Sequence, residues 1–165
     1  MLTTKKRGFT LIELLVVISI IGLLSTLAAL SLGTARTKSR DSRRAADMKQ
    51  LQTAMELYFD KNATYIMTAA VTPPVGCTNT GAATKVSACS GTGTTGINDF
   101  LASVATLKDP SNPTTACANP STVSCEYAFN AATASTYQVN FWLEGATGSL
   151  IAGAGKLTQN GISTP

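Results

Sequence analysis

The sequence predicts an α+β protein in which a long amino-terminal helix packs on a small antiparallel β-sheet. An apolar run from Phe9 to Ala35 contains a single charged residue, Glu13. An amphipathic helical pattern follows this run with no proline between them. The last third of the chain alternates apolar and polar residues, which is typical of half-buried strands. A long helix followed by clustered strands predicts this class.

The apolar run is long enough to cross a membrane. At 1.5 Å per residue, residues 9–35 would span about 40 Å, more than the hydrocarbon core of about 30 Å. One carboxylate opposes insertion by about 3 kcal/mol, and the many aliphatic side chains around Glu13 together outweigh it. The sequence therefore predicts a transmembrane helix but gives Glu13 no partner within one turn downstream.

The helix is predicted to continue through residues 36–62 as an amphipathic second half, with Asn62 as its stop signal. The whole helix would be roughly 80 Å long. Its apolar residues recur at spacings of three and four, so they form one face for the core. They are Ala45, Met48, Leu51, Met55 and Tyr58.

Residues 63–165 are predicted to form a globular head. Residues 66–97 contain Pro73-Pro74 and many Gly, Thr, Ser and Ala residues, so we expect a variable surface loop there. A short helix capped by Asn98 is expected over 98–108.

A β-meander of about three strands is expected over residues 125–153. The clearest strand has Tyr137, Val139, Phe141 and Leu143 on its inner face, and the third strand would begin near Leu150. Trp142 falls on the opposite face, where its role is undecided.

The segment from Arg36 to Arg44 holds five basic residues and one acid. Nucleic-acid binding is one interpretation. A solvated helical face just outside the membrane is the favoured one, because a charge run on a helix is usually exposed to water.

Four cysteines lie in the head, at Cys77, Cys89, Cys117 and Cys125. They form no Cys-x-x-Cys pair and the chain has no histidine, so a zinc site is not expected. Disulfides are favoured outside the membrane, and four cysteines allow three pairings. We favour Cys77 with Cys89 and Cys117 with Cys125, because each pair closes a short loop.

Catalysis is not expected. Without histidine the commonest general base is missing, and the acids of the head are dispersed in sequence. These acids are Asp99, Asp109, Glu126 and Glu144. The sequence predicts no metal, no cofactor and no small-molecule substrate.

The amino terminus reads Lys5-Lys6-Arg7-Gly8-Phe9-Thr10-Leu11-Ile12-Glu13, and it resembles the type IV pilin and type II secretion pseudopilin superfamily. The resemblance implies that residues 1–8 are a leader and that a prepilin peptidase cleaves between Gly8 and Phe9. The same enzyme would methylate the new amine of Phe9. Glu13 would then pair with the amine of a neighbouring subunit, and residues 9–35 would form the filament core. The α+β layout is similar to the pilin fold.

The resemblance implies a structural subunit of a pilus-like filament. Its partners would be other copies of itself, the prepilin peptidase, and an assembly platform with its motor. The precursor would lie in the inner membrane with its amino terminus in the cytoplasm, as the basic leader favours. The assembled filament would be extracellular or periplasmic.

Alternatives remain open at this stage. The chain could be a major pseudopilin of type II secretion, although residues 153–165 contain no acid that could bind the calcium found in many of those proteins. It could also be a membrane-tethered binding module that never polymerises. A DNA-uptake pilin, binding DNA through the segment from Arg36 to Arg44 or through Lys85, is less favoured.

Overall fold

The computed structural model describes residues 8–67, 83–89, 96–118 and 121–164, with the side chain of Leu30 left aside. The chain divides into two compact units, one up to Arg36 and one from Thr37 onward. The described elements are one α-helix, two short 3-10 turns and five strands. They are α1 (Leu11–Asn62), the turns Val86–Ala88 and Val104–Thr106, β1 (Thr84–Lys85), β2 (Ala128–Ala132), β3 (Tyr137–Leu143), β4 (Gly153–Thr158) and β5 (Gly161–Ser163).

In the first unit, α1 exposes apolar side chains around its whole circumference. Two of its hydroxyl groups bond within the helix, since Ser19 Oγ donates to the carbonyl of Leu15 at 2.8 Å and Thr26 Oγ1 to that of Leu23 at 2.8 Å. In an apolar environment an unpaired polar group would be costly. By length and composition alone, α1 can cross a membrane.

In the second unit, α1 presents one apolar face to the sheet. The predicted stripe is confirmed for Met48, Leu51, Met55 and Tyr58, which are all fully buried, whereas Ala45 is half-buried. They share one core with the inner face of β3, whose residues Tyr137, Val139, Phe141 and Leu143 are buried as predicted. The helix ends at Asn62, and Ala63 takes a left-handed conformation with its N–H donating to the carbonyl of Phe59 at 2.7 Å.

The sheet is a five-stranded antiparallel meander in the order β1-β2-β3-β4-β5. In the register of β3 with β4, Phe141 lies opposite Gly155. A Cβ on Gly155 would lie 2.3 Å from Cζ of Phe141, so the aromatic ring occupies the space that any other residue would need. The glycine therefore lets the aromatic ring of Phe141 pack directly on β4.

The predicted third strand was misplaced. Leu150 forms an isolated bridge with Thr147, and β4 begins at Gly153. The meander therefore runs to Ser163 rather than ending at residue 153. The two glycines of β4 made this strand hard to predict, because glycine has a low strand propensity. Gly155 is present because of its packing against Phe141 and not because of strand propensity.

Two other predictions about the head differ from the structure. The expected helix over residues 98–108 is a series of turns with a 3-10 turn at Val104–Thr106, although Val104 and Leu107 are buried as an inward face would require. The expected surface loop over 66–97 contains β1 and a fully buried Val86. The described parts of this stretch contribute four fully buried residues to the core, namely Met67, Val86, Cys89 and Ile97.

Candidate functional site

The amino-terminal end of α1 carries a capping box. The Thr10 N–H donates to Glu13 Oε2 at 2.8 Å, and Thr10 Oγ1 donates to the same oxygen at 2.7 Å. In return, the Glu13 N–H donates to Thr10 Oγ1 at 3.3 Å. These bonds satisfy backbone donors that the first helical turn leaves without partners. This role of Glu13 was not predicted, although the pattern Thr-x-x-Glu before an apolar run indicates a capping box.

The carboxylate of Glu13 lies among apolar groups. Phe9, Ile12, Val16 and Val17 share with it a shallow groove on one side of the helix. Arg36, the first basic residue after Glu13 in the sequence, is 23 positions further along α1, or about 35 Å. The site therefore combines an acid and a local hydrogen-bond network with a fully exposed apolar surface.

The predicted cleavage, methylation and assembly residues lie next to one another at this end. Gly8 and Phe9 precede the first helical residue, and both are exposed. Phe9 is 84% exposed, so its side chain makes little contact with the rest of the described chain. The peptide bond between Gly8 and Phe9 is therefore outside regular secondary structure, where a protease can bind it in an extended form.

The prediction of a solvated basic face from Arg36 to Arg44 is wrong for Arg44. Its side chain is fully buried and forms ion pairs with Asp41 at 2.6 Å, Asp109 at 2.7 Å and Glu144 at 2.8 Å. Arg40 is only partly exposed and also pairs with Glu144. The burial of Arg44 could have been predicted from the sequence. Asp41 and Arg44 continue the apolar stripe of α1 at spacings of three and four residues.

We name Arg40, Asp41, Arg44, Asp109 and Glu144 the ionic cluster. It attaches the second half of α1 to two loops of the head. Asp41 accepts hydrogen bonds from the backbone N–H groups of Glu144 and Gly145, at 3.0 and 2.7 Å. Asp109 accepts from Arg44 and from the N–H of Ser111 at 2.8 Å. Hydrogen bonds from Arg40 and then Arg44 lower the pKa of Glu144 to about 2, so this carboxyl stays ionised.

Two further acids are buried beside the ionic cluster. Glu126 accepts a hydrogen bond from the N–H of Asp109 at 3.1 Å, and Asp47 accepts one from the hydroxyl of Tyr127 at 3.0 Å. Burial raises the pKa of both carboxyl groups. Within the described ranges, no group of three or more His, Cys, Asp or Glu side chains could hold a metal ion.

The predicted bridge between Cys117 and Cys125 is present. With Ala128 it forms a second small core, against which Trp142 packs on the outer face of the sheet. Trp142 therefore has at least a structural role. Cys89 is also disulfide-bonded. Cys77 lies outside the described residues, so its pairing with Cys89 stays a prediction.

These features define a class of protein: an α+β head that follows an apolar helix with a capped, acid-bearing amino terminus. Comparisons with known proteins agree with this description. Residues 3–29 match the prokaryotic N-terminal methylation motif. The resemblance found at residues 5–13 is thereby confirmed, and the motif and the apolar helix together suggest membrane anchoring and assembly into a filament.

Two curated relatives share part of the chain. The type IV major pilin protein PilA of Myxococcus xanthus is 36% identical over 61 residues, which cover 37% of this chain and 28% of the pilin. The type II secretion system core protein G of Escherichia coli is 39% identical over 56 residues, which cover 34% of this chain and 39% of that protein. The chain thus spans well under half the length of these relatives. No solved structure matches the chain.

Proposed function

We propose that this chain is the precursor of a structural subunit of a type IV pilus-like filament. The observation that carries the proposal is the methylation motif at residues 3–29, placed on a helix that exposes apolar side chains on every side up to Leu32. A surface of that kind is stable only in lipid or against other helices. A filament core made from copies of α1 would supply the second environment.

Cleavage between Gly8 and Phe9 would place a positive charge where the precursor has none. The new amine of Phe9, methylated by the peptidase, would be four positions before Glu13. Apolar helices gain little by exchanging lipid for each other, so association within a membrane depends on close packing and polar contacts. We infer that the amine of one subunit and Glu13 of the next form such a contact during extraction by the assembly motor.

The first test is the mass and amino-terminal residue of the mature protein. The proposal predicts a chain that begins with N-methylated Phe9, and recovery of the protein with Met1 intact would refute the processing step. The same sample supplies filaments for electron microscopy after shearing from the cell surface. A membrane-tethered module that never polymerises would give mature protein but no fibres.

The second test separates docking from helix capping, because Glu13 participates in both. Glutamine can serve at the third position of a capping box, so Glu13→Gln keeps the local hydrogen bonds and removes only the charge. We expect this variant to be cleaved normally but to yield few or no filaments. Thr10→Val, the matched control, removes the two capping bonds of the hydroxyl and keeps the charge of Glu13, and it should still assemble. Normal filaments from Glu13→Gln would overturn the docking role.

A second candidate function, a pseudopilin of type II secretion, is favoured by the similarity to core protein G of Escherichia coli. The two candidates differ in what a deletion strain loses. Loss of surface fibres with normal secretion of exoproteins supports the pilus. Loss of secretion with fibres unchanged supports the pseudopilin.

A further inference from the structure

In the second unit of the chain, one acidic side chain differs from the others because it has no partner. Seven of the eight acids from Thr37 onward have a partner within the second unit: Asp41, Asp109 and Glu144 bind arginine, Asp99 binds Lys61, and Asp47, Glu56 and Glu126 accept hydrogen bonds from Tyr127, Tyr65 and the N–H of Asp109. Asp60 is the exception, since it is exposed and has no hydrogen bond or ion pair within the described part of the chain. One turn before it, Leu57 is 48% exposed. An exposed apolar side chain and an unpaired acid thus lie three residues apart on α1.

A groove with the complementary properties lies on the same head. It has a volume of about 360 Å³, and its walls are Ala45 and Lys49 of α1, the turn of residues 147–149, Leu150 and Ile162. Ala45, Leu150 and Ile162 are half-buried, whereas Lys49 is exposed and has only a weak hydrogen bond to Gln52, at 3.4 Å. The groove therefore has an apolar floor with a cation at its edge.

The wall of the groove is preformed. The turn is closed by two backbone hydrogen bonds between Thr147 and Leu150, at 2.9 and 3.0 Å. Thr147 Oγ1 is buried there with no hydrogen-bond partner among the described residues. A turn that is already closed by its own hydrogen bonds favours binding, because a partner would not have to order it first.

We propose that this groove receives the Leu57 and Asp60 surface of a second copy of the chain, with Leu57 on the apolar floor and Asp60 beside Lys49. The inference rests on the proposed filament function and names a head-to-head contact within it. Ala45 and Leu57 are twelve residues apart, which separates them by about 120° around the helix axis and about 18 Å along it. Because the two surfaces are different, the contact is heterologous, the kind of contact that can repeat along an open helical filament.

The test is a charge swap in the full mature chain, with sheared filaments measured by immunoblot and electron microscopy. Lys49→Glu and Asp60→Lys should each reduce filament yield at least about fivefold, since each turns an attractive contact into a repulsive one. The double variant Lys49→Glu with Asp60→Lys should restore most of the yield. Lys156→Glu, at an exposed lysine of β4 outside the groove, is the matched control and should assemble normally.

A second measurement uses the native residues directly. A zero-length carbodiimide cross-linker applied to wild-type filaments should join Lys49 of one copy to Asp60 of another, as identified by peptide mapping. Leu57→Ala should weaken assembly, whereas Val123→Ala, at another exposed apolar position, should not. Filaments that form normally in both single charge variants, without this cross-link, would overturn the inference while leaving the proposed function intact. Failure of the wild-type chain to form any fibres would overturn the proposed function itself.

Discussion

Replacing Arg44 with methionine should be among the most damaging single substitutions in the head. Methionine fills a similar volume and suits a helix interior, so packing and helix propensity change little. The change leaves two buried carboxylates, Asp41 and Asp109, without their cation. Asp41 keeps the N–H groups of Glu144 and Gly145.

The expected loss follows from burial. Arg44, Asp41 and Asp109 have fully buried side chains, and Arg44 Nε and Nη2 hold Asp109 in a two-bond arrangement at 2.7 and 2.8 Å. Removing one partner from such a buried pair costs about 3 to 5 kcal/mol, because the remaining charge stays uncompensated. For a denaturant slope of about 2 kcal/mol/M, the urea midpoint should fall by roughly 2 M.

The assay is urea unfolding of the mature chain in detergent, followed by fluorescence. The chain has one tryptophan, Trp142, which packs on the Cys117–Cys125 bridge and so reports on the folded head. Arg43→Met is the matched control, because Arg43 is exposed next to Arg44 and its loss should cost at most about 1 kcal/mol. Arg44→Lys should fall between them, since an ammonium cannot reproduce the two-bond geometry. An Arg44→Met midpoint equal to that of Arg43→Met would refute this reasoning.

Three further substitutions test the packing and the buried acids by the same unfolding assay. Gly155→Ala should lower the unfolding free energy by about 1 to 3 kcal/mol, because the new Cβ meets the ring of Phe141, and Phe141→Leu in the same chain should make the alanine less harmful. Glu144→Gln should destabilise the head at pH 7 but not near pH 2. Arg40 lowers the pKa of the Glu144 carboxyl to about 2. The stabilising effect of this carboxylate is therefore present above the ordinary pKa of 4.5 and disappears as the pH falls toward 2. Glu126→Gln should have the opposite effect. Burial raises the pKa of the Glu126 carboxyl, so its ionisation opposes folding at pH 7. The variant should therefore be more stable than wild type at pH 7 and similar to it below about pH 4.5. A Glu126→Gln chain that is less stable at pH 7 would contradict this assignment.

The sequence was sufficient to predict the features that depend on periodic burial. The helical stripe from Met48 to Tyr58 and the inner face of β3 alternate with the periods that helices and strands impose, and both are buried as predicted. The bridge of Cys117 with Cys125 was also predictable, because a short loop brings its ends together at low entropic cost.

Long-range pairing was not predictable from one sequence. Arg44 finds Asp109 65 positions away, and nothing in local spacing indicates that contact. Its place on the core stripe could have shown that it is buried, but not by which acids it is neutralised. Similarly, β4 depends on a glycine that accommodates an aromatic ring of the neighbouring strand, so its strand character is a property of the pair and not of its own residues.

The capping box at the start of α1 has a consequence for the timing of polymerisation. In a lone chain one carboxylate oxygen of Glu13, Oε2, already accepts two hydrogen bonds from Thr10. An incoming amine would have to compete with Thr10 for this carboxylate. A positively charged amine can do so, because it forms a stronger hydrogen bond to a carboxylate than a neutral donor does. In the proposed filament, Thr10 would then occupy the Glu13 carboxylate until the cleaved amino terminus of another subunit displaces it.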